Sequence, residues 1–301
     1  MSTPSEPALS AIMGERRRLI NLAYRLLGSL ADAEDVVQET YARWYAMSPE
    51  QREAIRSPGG WLTTVAGRIC LDVLGSARAR RERYVGEWLP EPVPDSVEWA
   101  GTPADPADRV TLDESVGMAF LVVLESMTPA ERVAFVLHDV FRYPFADVAE
   151  IVGRTPAACR QLAVSARRRV REARPPTTST STARHAGVVR DFKVAWQAKD
   201  IGALVQLLDP DAVATSDGGG LVTALPVPLH GGEPIARFLA GLVTDAPELA
   251  LLERTVNGRP GLVVQVDDTV EAVLALDVEA DRVTRIWAVR NPEKLRPWTA
   301  G

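Results

Sequence analysis

The first 174 residues of this 301-residue chain contain no lysine, so arginine supplies the permanent positive side-chain charge of that stretch. Acidic residues slightly outnumber these arginines, and the whole chain has a net charge of −6. These figures exclude a protein that coats DNA through its overall charge. Arginine presents a planar fork of donors suited to phosphate and guanine, so local arginine clusters are more informative than the average charge.

Cysteine is also scarce. Cys70 and Cys159 lie far apart in helical patterns and have no CxxC partner, which supports neither a disulfide framework nor a zinc site. We expect both to be small core residues, and we expect no metal or cofactor. No stretch approaches the roughly 20 apolar residues that cross a bilayer, and no apolar leader precedes a cleavage site. We therefore expect a cytoplasmic protein with no membrane partner.

Proline and glycine divide the chain into segments with different patterns. Apolar residues recur at helical spacing on both sides of a stretch with five prolines between residues 86 and 108. A TTSTST tract then marks a flexible connection. The expected boundaries are 11–85 for a helical bundle, 86–110 for a linker, 111–173 for a second helical domain, 174–184 for a flexible linker and 185–298 for an α+β domain.

The last of these segments changes from helical to strand patterning. A first helix is predicted to end at about Leu208, followed by β-rich runs such as LVVQV and EAVLALDV. Asn257-Gly258 and Asp267-Asp268 are turn signals between these runs.

Residues 144–170, PFADVAEIVGRTPAACRQLAVSARRRV, have the punctuation of a helix-turn-helix. The first helix is predicted to end at Gly153, Thr155 to cap the second, and Pro156 to occupy its first position. The apolar face of the second helix is predicted to comprise Ala158, Cys159, Leu162, Ala166 and Val170. Such a helix can enter a major groove with its N-terminal end first. The alternative is a pair of amphipathic helices in an ordinary bundle.

Two segments in the N-terminal bundle carry surfaces of opposite charge. Asp32 to Tyr45, DAEDVVQETYARWY, predicts a helix with an acidic face and aromatics opposite, whereas Trp61 to Tyr84 has an apolar stripe beside a basic end. Ser57 to Trp61, SPGGW, is predicted to form a loop that could help hold an unstacked base. The alternative for Trp61 is that it packs in the hydrophobic core and does not contact a base. Together these surfaces suggest a protein that bridges DNA to another protein, although each helix face taken alone fits ordinary solvation.

Residues 127–170, including MTPAERVAFVLHDVFRYPF, resemble region four of the group-four, extracytoplasmic-function sigma factors of bacterial RNA polymerase. LINLAYRLLGSLADAEDVVQETYARWY, residues 19–45, is similar to the first two parts of region two, and residues 61–84 to its last two parts. The resemblance implies two partners, core RNA polymerase and promoter DNA. Region four would bind the −35 double helix, while region two would bind the polymerase clamp and the unwound −10 strand.

The resemblance also implies roles for particular residues. The polymerase-facing candidates are Asp32, Glu34, Asp35, Gln38 and Glu39. The −10 candidates are Arg56, Trp61, Arg68, Arg78, Arg80 and Arg81. The −35 candidates are Arg154, Thr155, Arg160, Gln161, Arg167 and Arg168, of which Arg160 and Gln161 suit base edges and Arg167 and Arg168 suit phosphates.

Four further motifs resemble the sigma subfamily with a SnoaL-like C-terminal domain. They are YVGEWLPEPV at 84–93, TSDGGG at 215–220, LHGGEPIARFL at 229–239 and NPEKL at 291–295. The resemblance implies a cone-shaped α+β domain that regulates the sigma domains in cis. The implied regulatory contacts are Trp88, Leu89, Pro90, Asp217, Gly218, Gly219, Gly220, Asn291, Pro292, Glu293, Lys294 and Leu295. This chain departs from the subfamily at Leu221, where lysine is usual, and at Glu293, where aspartate is usual.

Two other functions remain as alternatives. One is a DNA-binding regulator that does not enter polymerase. The other is a SnoaL-type isomerase or cyclase with a helical extension, for which Asp217 and His230 are the acid-base candidates. We expect no enzyme, because Asp217 before three glycines is typical of a turn and His230 of local packing or a helix start. A small ligand of the C-terminal domain stays open.

Overall fold

The computed structural model describes residues 6–81, 84–94, 117–173, 181–246 and 248–299, with the backbone alone for 6–13 and 77–81. The chain forms two compact units. The first comprises residues 1–80, 98–115 and 123–173, and the second comprises 81–97, 116–122 and 174–301. Among the described residues, none of the helices is long and apolar enough to cross a membrane.

The first unit is helical. Its elements are α1 (Glu6–Leu27), α2 (Leu30–Ala46), α3 (Pro49–Glu53), α4 (Pro58–Arg81), α5 (Met118–Glu125, which begins in the second unit), α6 (Pro129–Phe135), a π-helical turn (Val136–Val140), α7 (Phe145–Val152) and α8 (Pro156–Ala173). Ser29 caps α2 by accepting a hydrogen bond from the Asp32 amide. Buried side chains at helical spacing, such as Leu22, Val36 and Leu62, fill the bundle interior. Cys70 and Cys159 are buried free thiols, as expected.

The predicted helix-turn-helix is present as α7 and α8. Helix α7 ends at Gly153, whose φ of 69° is the left-handed conformation that glycine adopts at no steric cost. Thr155 Oγ1 accepts from the Ala158 amide at 3.2 Å, and α8 begins at Pro156. The buried side of α8 comprises Cys159, Ala163 and Ala166. Of the predicted apolar face, Ala158, Leu162 and Val170 are only half-buried, whereas Ala163 is buried although it lies outside that predicted face.

The prediction of a loop at Ser57 to Trp61 is wrong. Helix α4 already begins at Pro58, and the Ser57 hydroxyl accepts from the Gly60 amide at 3.3 Å. Serine before a proline at the first helical position is a strong helix start, and this signal outweighs the two glycines.

The second unit contains an α+β domain. Its elements are α9 (Thr182–Gln197), α10 (Ile201–Leu207), β1 (Leu208–Asp217), β2 (Leu229–His230), α11 (Gly232–Asp245), β3 (Ala250–Val256), β4 (Arg259–Val266), β5 (Thr269–Glu279), β6 (Arg282–Val289) and α12 (Arg296–Thr299). The predicted helix up to Leu208 is two helices, because the chain breaks at Lys199 with a φ of 56°. The predicted turns at 257–258 and 267–268 are confirmed, because all four residues have the positive φ of tight hairpin turns.

The strands form one six-stranded sheet in the order β2-β1-β6-β5-β4-β3. Strands β1 and β6 are parallel neighbours, and the other pairs are antiparallel. On one face, Leu274 and Ile286 pack with Phe192 and Ile235 of the helices. The opposite face carries a second cluster that contains Val273, Trp287 and Val289. The fold class is therefore confirmed as helical domains followed by an α+β domain.

Candidate functional site

The acidic surface on α2 is exposed. Glu34, Asp35, Gln38 and Glu39 are exposed and Asp32 is half-buried, while Ala33, Val36, Val37, Thr40 and Trp44 are buried beneath them. Glu39 accepts from Arg43 one turn later at 2.8 Å, which is an ordinary surface pair. The helix thus presents a rigid polar face that a partner protein can reach.

The exposed side of α8 carries the residues predicted to bind DNA. Arg154, Thr155, Arg160, Gln161 and Arg168 are all exposed. The Arg160 guanidinium lies 5.5 Å from the centre of the Phe145 ring, and that ring stacks on His138 at 3.7 Å. This stacking restrains the arginine while its donors stay available, which suits contact with a base edge.

Arg167 differs from its neighbours because it is already paired. Its Nε donates to Asp139 at 2.6 Å, and its side chain is 34% exposed. The guanidinium is therefore partly committed to holding α8 against the π-helical turn. The predicted phosphate contact requires it to leave Asp139.

Three of the residues predicted to bind the −10 strand have described side chains, and they lie in different surroundings. Arg56 is exposed, whereas Trp61 is half-buried with its ring 5.3 Å from Trp44 in an edge-to-face contact. This position favours the alternative role of Trp61, that of a core residue. The side chains of Arg78, Arg80 and Arg81 lie outside the described residues.

Arg68 faces the helix-turn-helix. Its guanidinium donates to the backbone carbonyl of Glu150 at 3.1 Å and lies 3.3 Å from its carboxylate. A solvent-exposed pair of this kind contributes little by itself. Beside it, however, a Cβ on Gly67 would lie 2.8 Å from Ile151, so α4 and α7 approach closely at this glycine. A predicted −10 surface and the helix-turn-helix are thus in direct contact.

Tyr143, which the sequence did not single out, joins three helical segments. Its hydroxyl accepts from Arg18 of α1 at 2.6 Å and lies 2.9 Å from the Thr63 hydroxyl of α4. The Arg18 guanidinium also lies 5.3 Å from the ring centre. A second contact joins α6 to α1, where Arg132 donates to the Leu26 carbonyl at 2.9 Å. No local pattern marks Tyr143, because its partners are distant in sequence.

In the second unit, the segment 84–94 binds to the C-terminal domain through Asp217. This carboxylate has no exposed surface, and it accepts from Tyr84 Oη at 2.6 Å and from the Leu89 amide at 2.9 Å. The Gly219 amide donates to it at 3.0 Å. Burial, followed by the neighbouring Asp217, raises the pKa of Tyr84 well above its usual value, so the phenol remains a donor.

Lys294 neutralises the buried carboxylate. Its Nζ donates to Asp217 at 2.6 Å and to the Leu89 carbonyl at 2.5 Å. The ammonium also lies 4.2 Å from the Trp88 ring centre and 5.2 Å from that of Tyr84. One lysine thus contacts a C-terminal aspartate and two aromatic rings of the segment 84–94. An ion pair this deeply buried is tolerated only when its remaining polar atoms are also satisfied.

The loop after β1 is shaped by glycine. Gly219 has a φ of 64°, and a Cβ there would lie 2.4 Å from Asn291 Nδ2. Asn291 uses that nitrogen to donate to Tyr84 Oη at 2.9 Å. The close approach of Gly219 and Asn291 is therefore possible only without a side chain.

The remainder of the segment continues across the same domain. The Val93 amide donates to Asn257 Oδ1 at 3.2 Å, its carbonyl accepts from the Asn257 amide at 2.9 Å, and Trp298 donates to the Pro92 carbonyl at 2.8 Å. Leu89 joins the apolar cluster on the sheet, together with Leu295 and with Met118 from the start of α5. Both ends of the stretch between α4 and α5 are thus attached to one sheet.

The structure brings together the three motifs predicted to make regulatory contacts. Trp88, Leu89, Asp217, Gly219, Asn291, Lys294 and Leu295 all take part in the contacts above. Pro90 is buried, and Gly218 is closely packed against the Val222 carbonyl. Gly220 lies against Val85, and the Glu293 amide donates to Asn291 Oδ1. Tyr84, Asn257 and Trp298 also make these contacts, although they are not among the implied regulatory residues.

Comparisons with known proteins identify the two helical regions. Residues 12–81 match the family Sigma-70 region 2, and residues 117–170 match Sigma-70, region 4. The chain is 38% identical over 290 residues to the ECF RNA polymerase sigma factor SigJ of Mycobacterium tuberculosis, covering 93% of this chain and 90% of that protein. It is 35% identical over 297 residues to the probable ECF RNA polymerase sigma factor SigI of the same species, covering 98% and 97%.

A solved structure is similar over nearly the whole chain. The crystal structure of the M. tuberculosis extracytoplasmic function sigma factor SigJ superposes with a TM-score of 0.74 at 36% identity. The match covers 96% of this chain and 98% of that one. The similarity therefore includes the C-terminal domain as well as the two helical regions.

Proposed function

This chain belongs to the extracytoplasmic-function sigma factors, in the subfamily with a SnoaL-like C-terminal domain, and it binds core RNA polymerase and directs initiation at promoters. From this premise, we propose that the free chain is closed and that its C-terminal domain holds it closed in cis. Closed here means that region two, through α4, is packed on the helix-turn-helix of region four.

One observation carries the proposal, namely the direct contact between α4 and α7. The −10 and −35 elements are centred about 25 base pairs apart, which is about 85 Å along B-form DNA. In the closed unit, Arg68 on α4 lies 3.3 Å from Glu150, a few residues before the recognition helix α8. A chain in this form cannot occupy both elements, so initiation requires α4 and α7 to separate.

The C-terminal domain opposes this separation through the chain itself. Tyr84 follows α4 closely, and Met118 begins α5. Because both are attached to one sheet, the C-terminal end of region two and the N-terminal end of region four stay at a fixed spacing. Detachment of the segment 84–94 lets that spacing increase. The C-terminal domain therefore acts as an internal inhibitor, in which Asp217 and Lys294 together hold the segment 84–94 through Leu89.

We assign the surfaces accordingly. The exposed face of α2 that includes Glu34 and Gln38 binds the polymerase clamp. Arg160 and Gln161 contact −35 bases, and Arg154 and Arg168 contact phosphates. Arg56 and Arg68 serve the −10 strand, the latter only after it leaves Glu150.

We further propose that the C-terminal domain regulates without catalysis, in the cytoplasm where polymerase acts. Asp217 is buried and accepts hydrogen bonds from the segment 84–94 and from Lys294, and His230 is exposed on the short strand β2. Neither residue is among the described residues that line the domain cavity. An acid-base catalyst must be able to reach a substrate in such a cavity.

Reconstituted transcription tests the proposal. The purified chain and core polymerase are incubated with fragmented host DNA, and transcript 5′ ends are mapped to define a promoter. Titrations on that promoter then compare the parent chain with Trp88→Ala, which removes the ring beside Lys294. We expect Trp88→Ala to give more transcript at sub-saturating protein, with unchanged helix content. Identical titration curves would show that the segment 84–94 is only a tether.

A further inference from the structure

The C-terminal domain encloses a cavity of about 570 Å³ on the helical face of its sheet. That volume lies within the range of about 300–1,000 Å³ that is typical of sites for drug-sized ligands. Its walls are largely apolar, including Trp196, Ile235, Leu239, Leu242, Leu274 and Ile286. The Trp196 indole N–H already donates to the Leu239 carbonyl at 2.7 Å, so this wall offers apolar surface only.

The few polar groups of the cavity define the ligand chemistry. Ser216 lies in the wall with 5% exposure, and among the described residues its hydroxyl has no hydrogen-bond partner. At the mouth, the Arg290 guanidinium donates to the Thr223 carbonyl and lies 3.7 Å from Glu271. Arg290 is thus already engaged. The carboxylates of Glu271 and Asp245 outnumber this arginine among the lining residues, so the mouth has a small net negative charge. This arrangement disfavours a carboxylate or phosphate ligand.

We propose that this cavity binds a neutral, largely apolar small molecule whose single carbonyl or hydroxyl hydrogen-bonds to Ser216, and that its occupancy is coupled to the attachment of the segment 84–94. The proposal of a binding site depends only on the cavity and its lining residues. The coupling rests on the proposed inhibitory role of the C-terminal domain.

The coupling follows from the alternation of side chains along β1 and the residues after β6. Ser216 faces the cavity, and the next residue, Asp217, binds Tyr84 and Leu89 on the other side. Arg290 lines the cavity, while the next residue, Asn291, donates to Tyr84.

Backbone hydrogen bonds connect these two pairs of residues. The amides of Arg290 and Asn291 both donate to the Asp217 carbonyl, at 2.7 and 2.9 Å. A shift of the cavity wall therefore moves groups that hold the segment 84–94. Because coupling between two binding events is reciprocal, attachment of that segment must also change ligand affinity.

The test uses Nile red, a neutral apolar dye with one carbonyl, as the probe, titrated into the full-length chain with fluorescence as the readout. Ala288→Phe fills the cavity from β6, and Thr223→Trp blocks its mouth from an exposed loop position, so that one variant remains if the other fails to fold. Ala198→Phe is the matched control, because it replaces alanine with phenylalanine at an exposed position that is not among the residues lining the cavity.

We expect saturable binding of one dye per chain, weakened at least tenfold by Ala288→Phe and Thr223→Trp and retained by Ala198→Phe. Equal binding by all three variants would overturn the site.

The same titration on Trp88→Ala tests the coupling, for which we expect at least a threefold change in dye affinity. An unchanged affinity, with binding still confined to the cavity, would overturn the coupling and leave the site intact. Failure of the proposed function is distinguishable, because it appears as an unchanged transcription curve for Trp88→Ala.

Discussion

Lys294 donates a hydrogen bond to Asp217 across 77 residues of sequence, with an Nζ to Oδ2 distance of 2.6 Å. The lysine side chain is 11% exposed and the aspartate has no exposed surface. Each charge therefore depends on the other for its burial. Because the same two groups bind the amide and the carbonyl of Leu89, the ion pair also fixes the segment that follows region two.

Replacement of this lysine is expected to release the segment 84–94. Lys294→Met leaves the Asp217 carboxylate buried without its cation, and breaking a buried pair in this way costs about 3–5 kcal/mol. Hydrogen exchange measured by mass spectrometry should show faster exchange at the Leu89 and Val93 amides. Lys199→Met, at an exposed lysine, is the matched control. Unchanged protection of residues 84–94 in Lys294→Met would contradict this role of the ion pair.

Removal of the Tyr143 hydroxyl is expected to favour the open form. Tyr143→Phe deletes the hydrogen bonds to Arg18 and Thr63, and each such bond contributes about 1 kcal/mol. Because Arg18 is partly exposed, we expect a net gain of only about fivefold in initiation at sub-saturating protein. Abortive transcript synthesis on the mapped promoter measures it. Tyr45→Phe, at an exposed tyrosine of α2, should behave like the parent, and a decrease in Tyr143→Phe would count against closure by this contact.

Substitution of Arg160 is expected to affect promoter recognition selectively. Arg160→Ala should weaken −35-dependent initiation by about 1–3 kcal/mol, or roughly 5- to 150-fold, while core polymerase affinity stays the same. Arg160→Lys keeps the charge but loses the planar fork, so it should retain nonspecific DNA binding and lose discrimination between promoters. Gel shifts and polymerase pull-down measure the two affinities. Equal loss of promoter and polymerase binding in Arg160→Ala would contradict the assignment.

Stability of the C-terminal domain is expected to fall at mildly acidic pH. His185 is buried, and burial, together with the nearby Arg259, lowers its pKa below 6.5. The folded domain therefore binds fewer protons than the unfolded chain. The stabilisation is fully present above pH 6.5 and is lost as the pH falls below it, by at most about 1.4 kcal/mol per pH unit.

Urea unfolding of the full chain at pH 7.5 and pH 5.5 measures this effect. His185→Phe should flatten the pH dependence, whereas His230→Phe, at an exposed position, should not. An unchanged slope in His185→Phe would show that other groups are responsible.

Features with local signals were predictable from the sequence. Gly153, Thr155 and Pro156 mark the helix-turn-helix because a left-handed residue, a cap and an N-terminal proline each act within one turn. The Asn257-Gly258 and Asp267-Asp268 hairpins follow from the same kind of local preference. Ser57 and Pro58 carry a local helix-start signal of the same kind, and it decides the structure of Ser57 to Trp61 against the loop.

Pairing between distant side chains was not predictable. The sequence places Arg68 and Arg167 in local arginine clusters, but nothing local shows that Glu150 and Asp139 are their partners. Asp217 was expected to be a turn residue, and its hydrogen bond from Gly219 agrees with that. Its burial against Lys294, in contrast, depends on the parallel pairing of β1 with β6, which places the segments that follow these two strands side by side.

The most direct test of closure is a distance measurement between α4 and α8. Spin labels at Ser76→Cys and Glu172→Cys, both exposed, are introduced into a Cys70→Ala, Cys159→Ala background and measured by pulsed electron paramagnetic resonance. We expect one short distance in the free chain, a partial shift to longer distances in Lys294→Met, and an increase of tens of ångströms on binding core polymerase and promoter DNA. The same distance in the free chain and in the promoter complex would contradict closure of the free chain.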